Sequence, residues 1–218
     1  MSSCCSSFCA ANQHQFGDAV AHRDLERYRE RGPDATTRLL REAILSAGSG
    51  RTILDVGAGI GALGFELLAA GAEQVTAVDA APAYLASAQQ EAARRNITQR
   101  FQPVLGDFVT VARDIDDADV VTMDRVVCCY PAYAPLLAAA MRHSRRLLAF
   151  SYPRDRWFVR AAVAVENGTR ALLRNAFRGF VHPAWGMEAL VKQHGFVLIR
   201  RNETLKWAAD LYARAKAS

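Results

Sequence analysis

The chain has 218 residues, of which 51% are hydrophobic, 22% charged and 9% aromatic, and this composition predicts one globular domain with a single sizeable core. The net charge of +5 would suit an acidic partner such as nucleic acid. Because the arginines are interspersed with carboxylates, as in residues 23–31, we interpret them as solvated helix faces and expect no nucleic-acid partner.

Two further features of the sequence bear on where the protein is found. Its apolar runs are all far shorter than the ~20 residues that a membrane-spanning helix needs. Residues 1–9 have neither the basic start nor the continuous apolar stretch of a secretory signal. We therefore expect a cytoplasmic protein with no membrane partner.

The five cysteines form two clusters, with Cys4, Cys5 and Cys9 near the start and Cys128 and Cys129 in mid-chain. Neither cluster has the C-x-x-C spacing of a structural zinc site, and neighbouring cysteines do not easily bridge each other. Reduced thiols and no metal site are therefore predicted. The alternative is that the two clusters bind a soft metal or metalloid.

The first 48 residues divide into an arm and two helices. Residues 1–16 are small, polar and aperiodic, which predicts a mobile N-terminal arm ahead of a single domain at 17–218. Apolar residues at helical spacing predict two helices within 17–48, interrupted at Gly32 and Pro33. Asp34 follows this break, where its side chain can cap the second helix.

From Arg51 onward, short buried strands alternate with helices, which is the pattern of a parallel sheet. Strands are predicted at 52–56, 74–78, 101–105, 119–123 and 146–151. Helices are predicted near 62–70, 82–95 and 132–143.

Residues 152–182 interrupt this alternation and contain a long helical run, which predicts a helical insert or lid. A helix at 183–194 precedes two closing strands, at 195–200 and 204–212, that are close enough in sequence to form an antiparallel hairpin. The predicted fold class is therefore α/β. It has a seven-stranded, mostly parallel Rossmann-like sheet with a terminal antiparallel hairpin, two N-terminal helices and a helical insert after strand five.

A glycine-rich loop joins the first strand to the first helix of the sheet and contains Gly57, Gly59 and Gly61. Glycines at such a turn let a ligand approach the backbone and reach the helix N-terminus, so a nucleotide-type ligand is indicated. The same residues satisfy G-x-G-x-x-G/A, and this spacing alone leaves an NAD-dependent oxidoreductase and a methyltransferase both open.

Acids at the ends of successive strands favour S-adenosylmethionine as the cofactor. Asp55 precedes the glycines, where it would repel a pyrophosphate but attract a sulfonium and an ammonium. Asp79, followed by Ala80, can accept hydrogen bonds from ribose hydroxyls. Asp107 can accept from the adenine amino group while Phe108 covers a ring face. The alternative for Asp79 and Asp107 is that each caps a helix.

The residues 55–61, Asp79 and Gly106-Asp107 resemble the first three motifs of the class I methyltransferases, over roughly residues 40–213. The resemblance implies a seven-stranded sheet and S-adenosylmethionine as the methyl donor. Asp124 ends the fourth strand, in the region that faces the methyl group in such enzymes, and is added to the predicted cofactor-binding residues.

Tyr28, the Cys-Tyr-Pro turn at 129–131 and the long insert resemble the magnesium-protoporphyrin O-methyltransferases, which methylate a propionate of a tetrapyrrole. The resemblance implies a tyrosine in the N-terminal helices, matched by Tyr28, and a histidine before the Tyr-Pro pair, where this chain has Cys129. A thiol with a pKa of about 8.5 accepts protons less well at neutral pH than imidazole at about 6.5. Tetrapyrrole methylation is therefore kept as an alternative.

The predicted acceptor is a small, largely apolar molecule with a carboxylate or another heteroatom, thiols included. Tyr28, Cys129, Tyr130 and His182 are the candidate catalytic residues, and Trp157 is a candidate substrate contact, because they cluster at one end of the predicted sheet. Methyl transfer from a sulfonium needs mainly alignment, with a base only for a protonated acceptor. Two alternatives stay open: His182 can cap the helix that follows it, and RNA can be the acceptor.

Overall fold

A computed structural model describes residues 11, 13–48 and 50–215. The predicted thiol cluster of Cys4, Cys5 and Cys9 lies outside these residues. The helices are α1 (Asp18–Arg31), α2 (Ala35–Ser46), α3 (Ala62–Ala69), α4 (Pro82–Arg94), α5 (Phe108–Val111), α6 (Tyr133–His143), α7 (Trp157–Leu172) and α8 (Ala184–Gln193).

The strands form one seven-stranded sheet in the order β3-β2-β1-β4-β5-β7-β6. They are β1 (Thr52–Val56), β2 (Gln74–Asp79), β3 (Phe101–Leu105), β4 (Ala118–Met123), β5 (Ser144–Pro153), β6 (Phe196–Glu203) and β7 (Trp207–Arg214). The first five strands are parallel to one another, and β7 pairs antiparallel with both β5 and β6. The predicted α/β fold class is confirmed.

Alternating residues of the central strands pack into two cores, one on each face of the sheet. Ile53 and Val120 belong to the core that includes side chains of α2, α3 and α4. Leu54 and Val121 belong to the other core, with side chains of α6 and α8. Successive side chains of a strand point to opposite faces, and burial of both faces explains the continuous apolar runs in the sequence.

The closing hairpin differs from its predicted bounds. β5 continues to Pro153 because Tyr152 and Pro153 pair with the start of β7. β7 begins at Trp207 rather than at 204 because the Trp207 amide donates to the Thr204 hydroxyl at 3.0 Å, and this bond closes the turn. β6 accordingly extends to Glu203.

The end of the predicted mobile arm packs against the domain. The ring of Phe16 lies 5.4 Å from that of Tyr84 and 5.3 Å from that of Phe177. Gln13 Nε2 donates to the Ala80 carbonyl at 3.2 Å. The ring of Phe16 and the side chain of Gln13 thus hold the end of the predicted arm against the insert and the segment before α4.

The insert after β5 folds as α7 followed by an irregular return segment. One face of α7 is turned inward, with Val159 3% exposed, whereas Trp157 is 81% exposed. The return segment is attached to the loop after β4, since the Phe180 amide donates to the Cys128 carbonyl at 2.8 Å. No helix among the described residues is long and apolar enough to cross a membrane.

Candidate functional site

A cavity of about 520 Å³ opens at the carboxyl ends of the parallel strands. Three acids that end or directly follow neighbouring strands line it: Asp55 near the end of β1, Asp79 at the end of β2 and Asp124 after β4. Residues of α1, α7 and the insert's return segment complete its walls. Ligands of open parallel sheets bind at this end, so the cavity is the candidate active site.

The glycine loop forms part of the cavity wall through Gly57 and Gly59. Gly57 has φ 63°, and a Cβ atom there would overlap the side chain of Val126. Gly59 has φ 57° with open space where a Cβ would stand. Gly61 (φ 81°) does not line the cavity; a Cβ atom on it would stand 3.0 Å from the rings of both Phe65 and Phe101. Gly61 therefore serves the packing of α3 on the sheet.

Asp55 is almost completely buried at the cavity floor. Its Oδ1 accepts a hydrogen bond from the Thr122 hydroxyl at 2.6 Å. Its Oδ2 has no hydrogen-bond partner among the described residues. Burial raises the pKa of this carboxyl to about 7, against the lowering effects of the Thr122 bond and of the nearby Gly64 amide. A buried, unpartnered carboxylate oxygen beside a glycine loop suits a cationic ligand group.

Asp79 holds the glycine loop and the start of α4 together. Its Oδ2 accepts from the Gly59 amide and its Oδ1 from the Ala81 amide, each at 2.8 Å. Burial raises its pKa to about 6, although these amide bonds act in the opposite direction. The bond to Ala81 lies ahead of α4, whose N-cap is Ala81 and has no side-chain capping bond, so the capping alternative for Asp79 is wrong. Asp79 and Ala80 both line the cavity.

Asp107 caps a helix in the structure. Its Oδ1 accepts from the Val109 amide at 3.1 Å and from the Tyr130 hydroxyl at 2.6 Å. Gly106 and Phe108 on either side of it line the cavity, but Asp107 itself does not. The Tyr130 side chain thus connects the loop after β4 to the segment predicted to bind adenine.

Asp124 joins three parts of the fold beside the cavity. Its Oδ2 accepts from the Thr37 hydroxyl of α2, and its Oδ1 accepts from the Ser151 hydroxyl of β5, both at 2.6 Å. The next residue, Arg125, has a left-handed backbone (φ 61°) and pairs with Asp34 at 2.9 Å. The predicted cap Asp34 makes no side-chain capping bond to α2, because its carboxylate faces Arg125 instead.

Tyr28 lines the cavity from α1, with its hydroxyl donated to Glu66 Oε1 at 2.9 Å. The Arg95 guanidinium lies 5.1 Å from its ring centre. Burial raises the pKa of the Tyr28 hydroxyl well above its usual value. The proton of this hydroxyl is therefore held in a bond to Glu66.

Cys128, Cys129 and Tyr130 all line the cavity from the loop after β4. The Cys129 thiol lies 3.9 Å from that of Cys128. Contact with the neighbouring thiol, together with burial, raises the pKa of Cys129 well above its usual value. The thiol of Cys129 is consequently neutral near pH 7.

His182 and Trp157 do not line the cavity. The Nε2 atom of His182 lies 2.9 Å from the Tyr130 carbonyl, and since a carbonyl only accepts, this nitrogen carries the proton. The His182 ring packs against those of Tyr133 and Phe180.

The structure brings together ten of the predicted site residues: Tyr28, Asp55, Gly57, Gly59, Asp79, Ala80, Phe108, Asp124, Cys129 and Tyr130. It leaves outside the lining Gly61, Asp107, Trp157 and His182.

Several lining residues escaped the sequence reasoning. Phe16 lies in the arm, and Arg125 occupies a backbone conformation that no local signal predicts. The inward face of α7 contributes Val159 and Val163, whose spacing of four residues was a detectable signal. Thr122 does not line the cavity but bonds to Asp55, and it was also detectable, as a polar residue within the apolar run of β4.

The groups that line this part of the cavity fit S-adenosylmethionine. The unpartnered Asp55 oxygen suits its cationic amino-acid end, and the glycine loop leaves open space at Gly59 for close approach. A dinucleotide would bring its pyrophosphate toward the same carboxylate. The fold and the lining of this site resemble those of a class I S-adenosylmethionine-dependent methyltransferase domain.

Comparison with known proteins agrees with this class. Residues 53–149 match the methyltransferase domain family. The chain is 34% identical over 115 residues to the ribosomal protein L11 methyltransferase of Psychrobacter sp. (strain PRwf-1), which covers 51% of this chain and 38% of that protein. The chain therefore spans well under half the length of this curated relative.

Solved structures show the same fold. Magnesium protoporphyrin IX methyltransferase from Synechocystis PCC 6803, with bound SAH, has a TM-score of 0.73 and 17% identity, covering 94% of this chain and 99% of that one. Human N-acetylserotonin methyltransferase in complex with SAM has a TM-score of 0.64 and 16% identity, covering 92% of this chain and 57% of that one.

Proposed function

We propose that this protein transfers the methyl group of S-adenosylmethionine to a small, largely apolar molecule through a carboxylate or another heteroatom. The observation that carries the proposal is the continuity of one cavity, which extends from the buried acids at the strand ends to apolar side chains of the insert. A volume of about 520 Å³ lies within the range of small-molecule sites.

The strand-end half of the cavity is assigned to the cofactor, which supplies an electrophilic methyl group on a sulfonium. Asp55 would hold the cationic amino-acid end, with Thr122 fixing the carboxylate orientation through its 2.6 Å bond. The Asp79 carboxylate accepts hydrogen bonds from two backbone amides and has further lone pairs that can accept from ribose hydroxyls. Phe108 is assigned to the adenine ring, and Asp107, which lies outside the lining, holds this segment through its bonds to Val109 and Tyr130.

The insert half of the cavity is assigned to the acceptor. Val159 and Val163 of α7 and Phe180 of the return segment give it an apolar wall. Arg170 is paired with Glu166 of the same lining at 3.2 Å, whereas Lys206 adds a positive charge, which favours an acceptor with an ionised carboxylate. An ionised carboxylate needs alignment and no base.

In this proposal the predicted catalytic residues therefore shape the cavity and are not assigned the transfer of protons. Tyr28 holds its hydroxyl proton against Glu66, and the Cys129 thiol keeps its proton near pH 7, so neither is assigned a base. Tyr130 lines the cavity and donates its hydroxyl to Asp107. His182 positions the Tyr130 backbone through its 2.9 Å contact with the carbonyl.

A protein acceptor is the second candidate, favoured by the 34% identity with a ribosomal protein L11 methyltransferase. We rank it below a small molecule because α7 and the return segment line the acceptor half, which restricts access for a folded protein. A tetrapyrrole propionate is a special case of the carboxylate proposal, supported by the similarity of fold to magnesium protoporphyrin IX methyltransferase.

Labelled S-adenosylmethionine tests the proposal directly. The protein is incubated with separate panels of carboxylic acids, thiols and tetrapyrroles, with purified ribosomal protein L11, and with RNA. Label in a small molecule, reduced by Val163→Asp but not by the exposed substitution Val165→Asp, is the expected result. Label only in L11 or only in RNA would overturn the small-molecule assignment. Calorimetric binding of NADH without binding of S-adenosylhomocysteine would overturn the methyltransferase assignment altogether.

A further inference from the structure

Two consecutive thiols face the cavity from the short turn Val127–Cys129. The sulfur atoms of Cys128 and Cys129 lie 3.9 Å apart, and both residues line the cavity. Each thiol also contacts the Arg125 carbonyl, at 3.3 Å and 3.5 Å respectively. The shared carbonyl holds both sulfurs on the same side of the turn.

This arrangement is poorly suited to a direct disulfide. The Cα atoms of consecutive residues are about 3.8 Å apart, which is below the range of about 4.4 to 6.8 Å that disulfides normally span. The 3.9 Å between the sulfurs lets both reach one central atom after an approach of about 0.5 Å, since two bonds of about 2.3 Å at a three-coordinate pyramidal centre place the sulfurs about 3.4 Å apart.

The surroundings disfavour a divalent metal ion as that central atom. A structural zinc ion takes four ligands, and no group of three or more His, Cys, Asp or Glu in the described part of the chain could hold a metal. The thiols lie near the apolar lining residues Val126 and Phe180, and the charges of Asp79 and Arg125 act on Cys129 in opposite directions. An uncharged, thiophilic centre that needs only two sulfur ligands suits this site better than a cation does.

We propose that Cys128 and Cys129 form a dithiol site for monosubstituted trivalent arsenicals, R–As(OH)₂. Two As–S bonds form and two As–O bonds break, and each thiol proton leaves with a hydroxyl as water. Arsenic stays trivalent, so no oxidant or reductant is required. The product carries no charge, as burial in the cavity favours. This inference does not depend on the identity of the methyl acceptor.

The test uses phenylarsine oxide, which hydrates to such a dihydroxyarsine, and intact-protein mass spectrometry. Because Cys4, Cys5 and Cys9 also supply thiols, the background is the full-length chain with all three changed to serine. One adduct per chain with loss of two waters is expected in this background. It should survive an excess of a monothiol and be removed by a small dithiol, since two-point attachment is favoured by effective concentration.

Cys128→Ser and Cys129→Ser in the same background should each reduce monothiol-resistant labelling at least tenfold. Melting temperatures verify that each variant is folded. If a serine variant fails to fold, alkylation of the background protein gives the same information, because Cys128 and Cys129 should be protected together after arsenical treatment. Adduct formation that disappears in the background protein, or that persists in either serine variant, would overturn the proposal.

Discussion

The Thr122 hydroxyl donates a hydrogen bond of 2.6 Å to Asp55, across the pairing of β4 with β1. Asp55 and Thr122 are direct neighbours in the register of these parallel strands. The bond occupies Oδ1 and leaves Oδ2 unpartnered among the described residues. The sheet therefore presents one oriented carboxylate oxygen at the floor of the cavity, and this relationship leads to the first two predictions.

Replacing Asp55 by asparagine should weaken binding of S-adenosylhomocysteine by about tenfold to a hundredfold. The substitution removes a hydrogen bond to a charged group, which is worth about 1.5 to 3 kcal/mol. Isothermal titration calorimetry measures the affinity. The matched control is Asp114→Asn, which changes an exposed acid outside the cavity and should leave the affinity unchanged. Equal affinities for the two variants would contradict the assignment of Asp55.

Affinity for S-adenosylhomocysteine should rise with pH between about 5.5 and 8. The Asp55 carboxyl has a pKa of about 7, and binding of the ligand ammonium requires its ionised form. Below this pKa the affinity should fall by up to tenfold per pH unit. Asp55→Asn should flatten the profile, and a slope retained in this variant would assign the titration to another group such as Asp79.

The ligand-free protein should show the opposite trend in stability. The pKa values of Asp55 and Asp79, about 7 and about 6, lie above the unfolded value of about 3.9. Native protein therefore binds more protons, and the stability that these groups contribute is present below about pH 4 and lost as pH rises through 6 to 7. Denaturant melts of wild type and Asp55→Asn from pH 5 to 8 measure this, and the variant should lose less stability over the range.

Alanine at Gly57 should be more damaging than alanine at Gly59. Both positions have positive φ, so each substitution carries a backbone cost of about 1 to 2 kcal/mol. At Gly57 the new Cβ also overlaps Val126, which adds about 1 to 3 kcal/mol, whereas at Gly59 it meets open space. Thermal melts compare the two variants. Restoration of Gly57→Ala stability by Val126→Ala would attribute the difference to this contact, and no restoration would refute it.

Replacing His182 by alanine should lower the free energy of unfolding by about 1 to 3 kcal/mol, because the Tyr130 carbonyl loses its donor. Binding of S-adenosylhomocysteine should change less than twofold, since His182 does not line the cavity. His194→Ala is the matched control, because that exposed ring lies at the C-terminal end of α8 and bonds to the Leu190 carbonyl of the same helix. A large loss of ligand affinity in His182→Ala would give this residue a direct role.

The sequence by itself determined the sheet and the strand ends at which the cavity opens. Apolar runs buried on both faces, such as that containing Ile53 and Leu54, specify parallel strands. The glycines and acids at the strand ends are adjacent to these runs in the sequence, so their positions can be predicted with the strands. Asp55 and Asp79 could be predicted to lie at one site because the carboxyl ends of neighbouring parallel strands lie side by side at the same edge of the sheet.

Only the tertiary structure decided the half of the cavity that the insert lines, because the contacts in that half join segments far apart in the chain. It turned Trp157 outward, placed Phe16 against the insert and directed the Tyr28 hydroxyl toward Glu66. It also placed His182 behind the Tyr130 loop. Residue type and spacing specify which side chains can do chemistry, but the direction in which a loop or lid residue points depends on packing partners that local sequence does not encode.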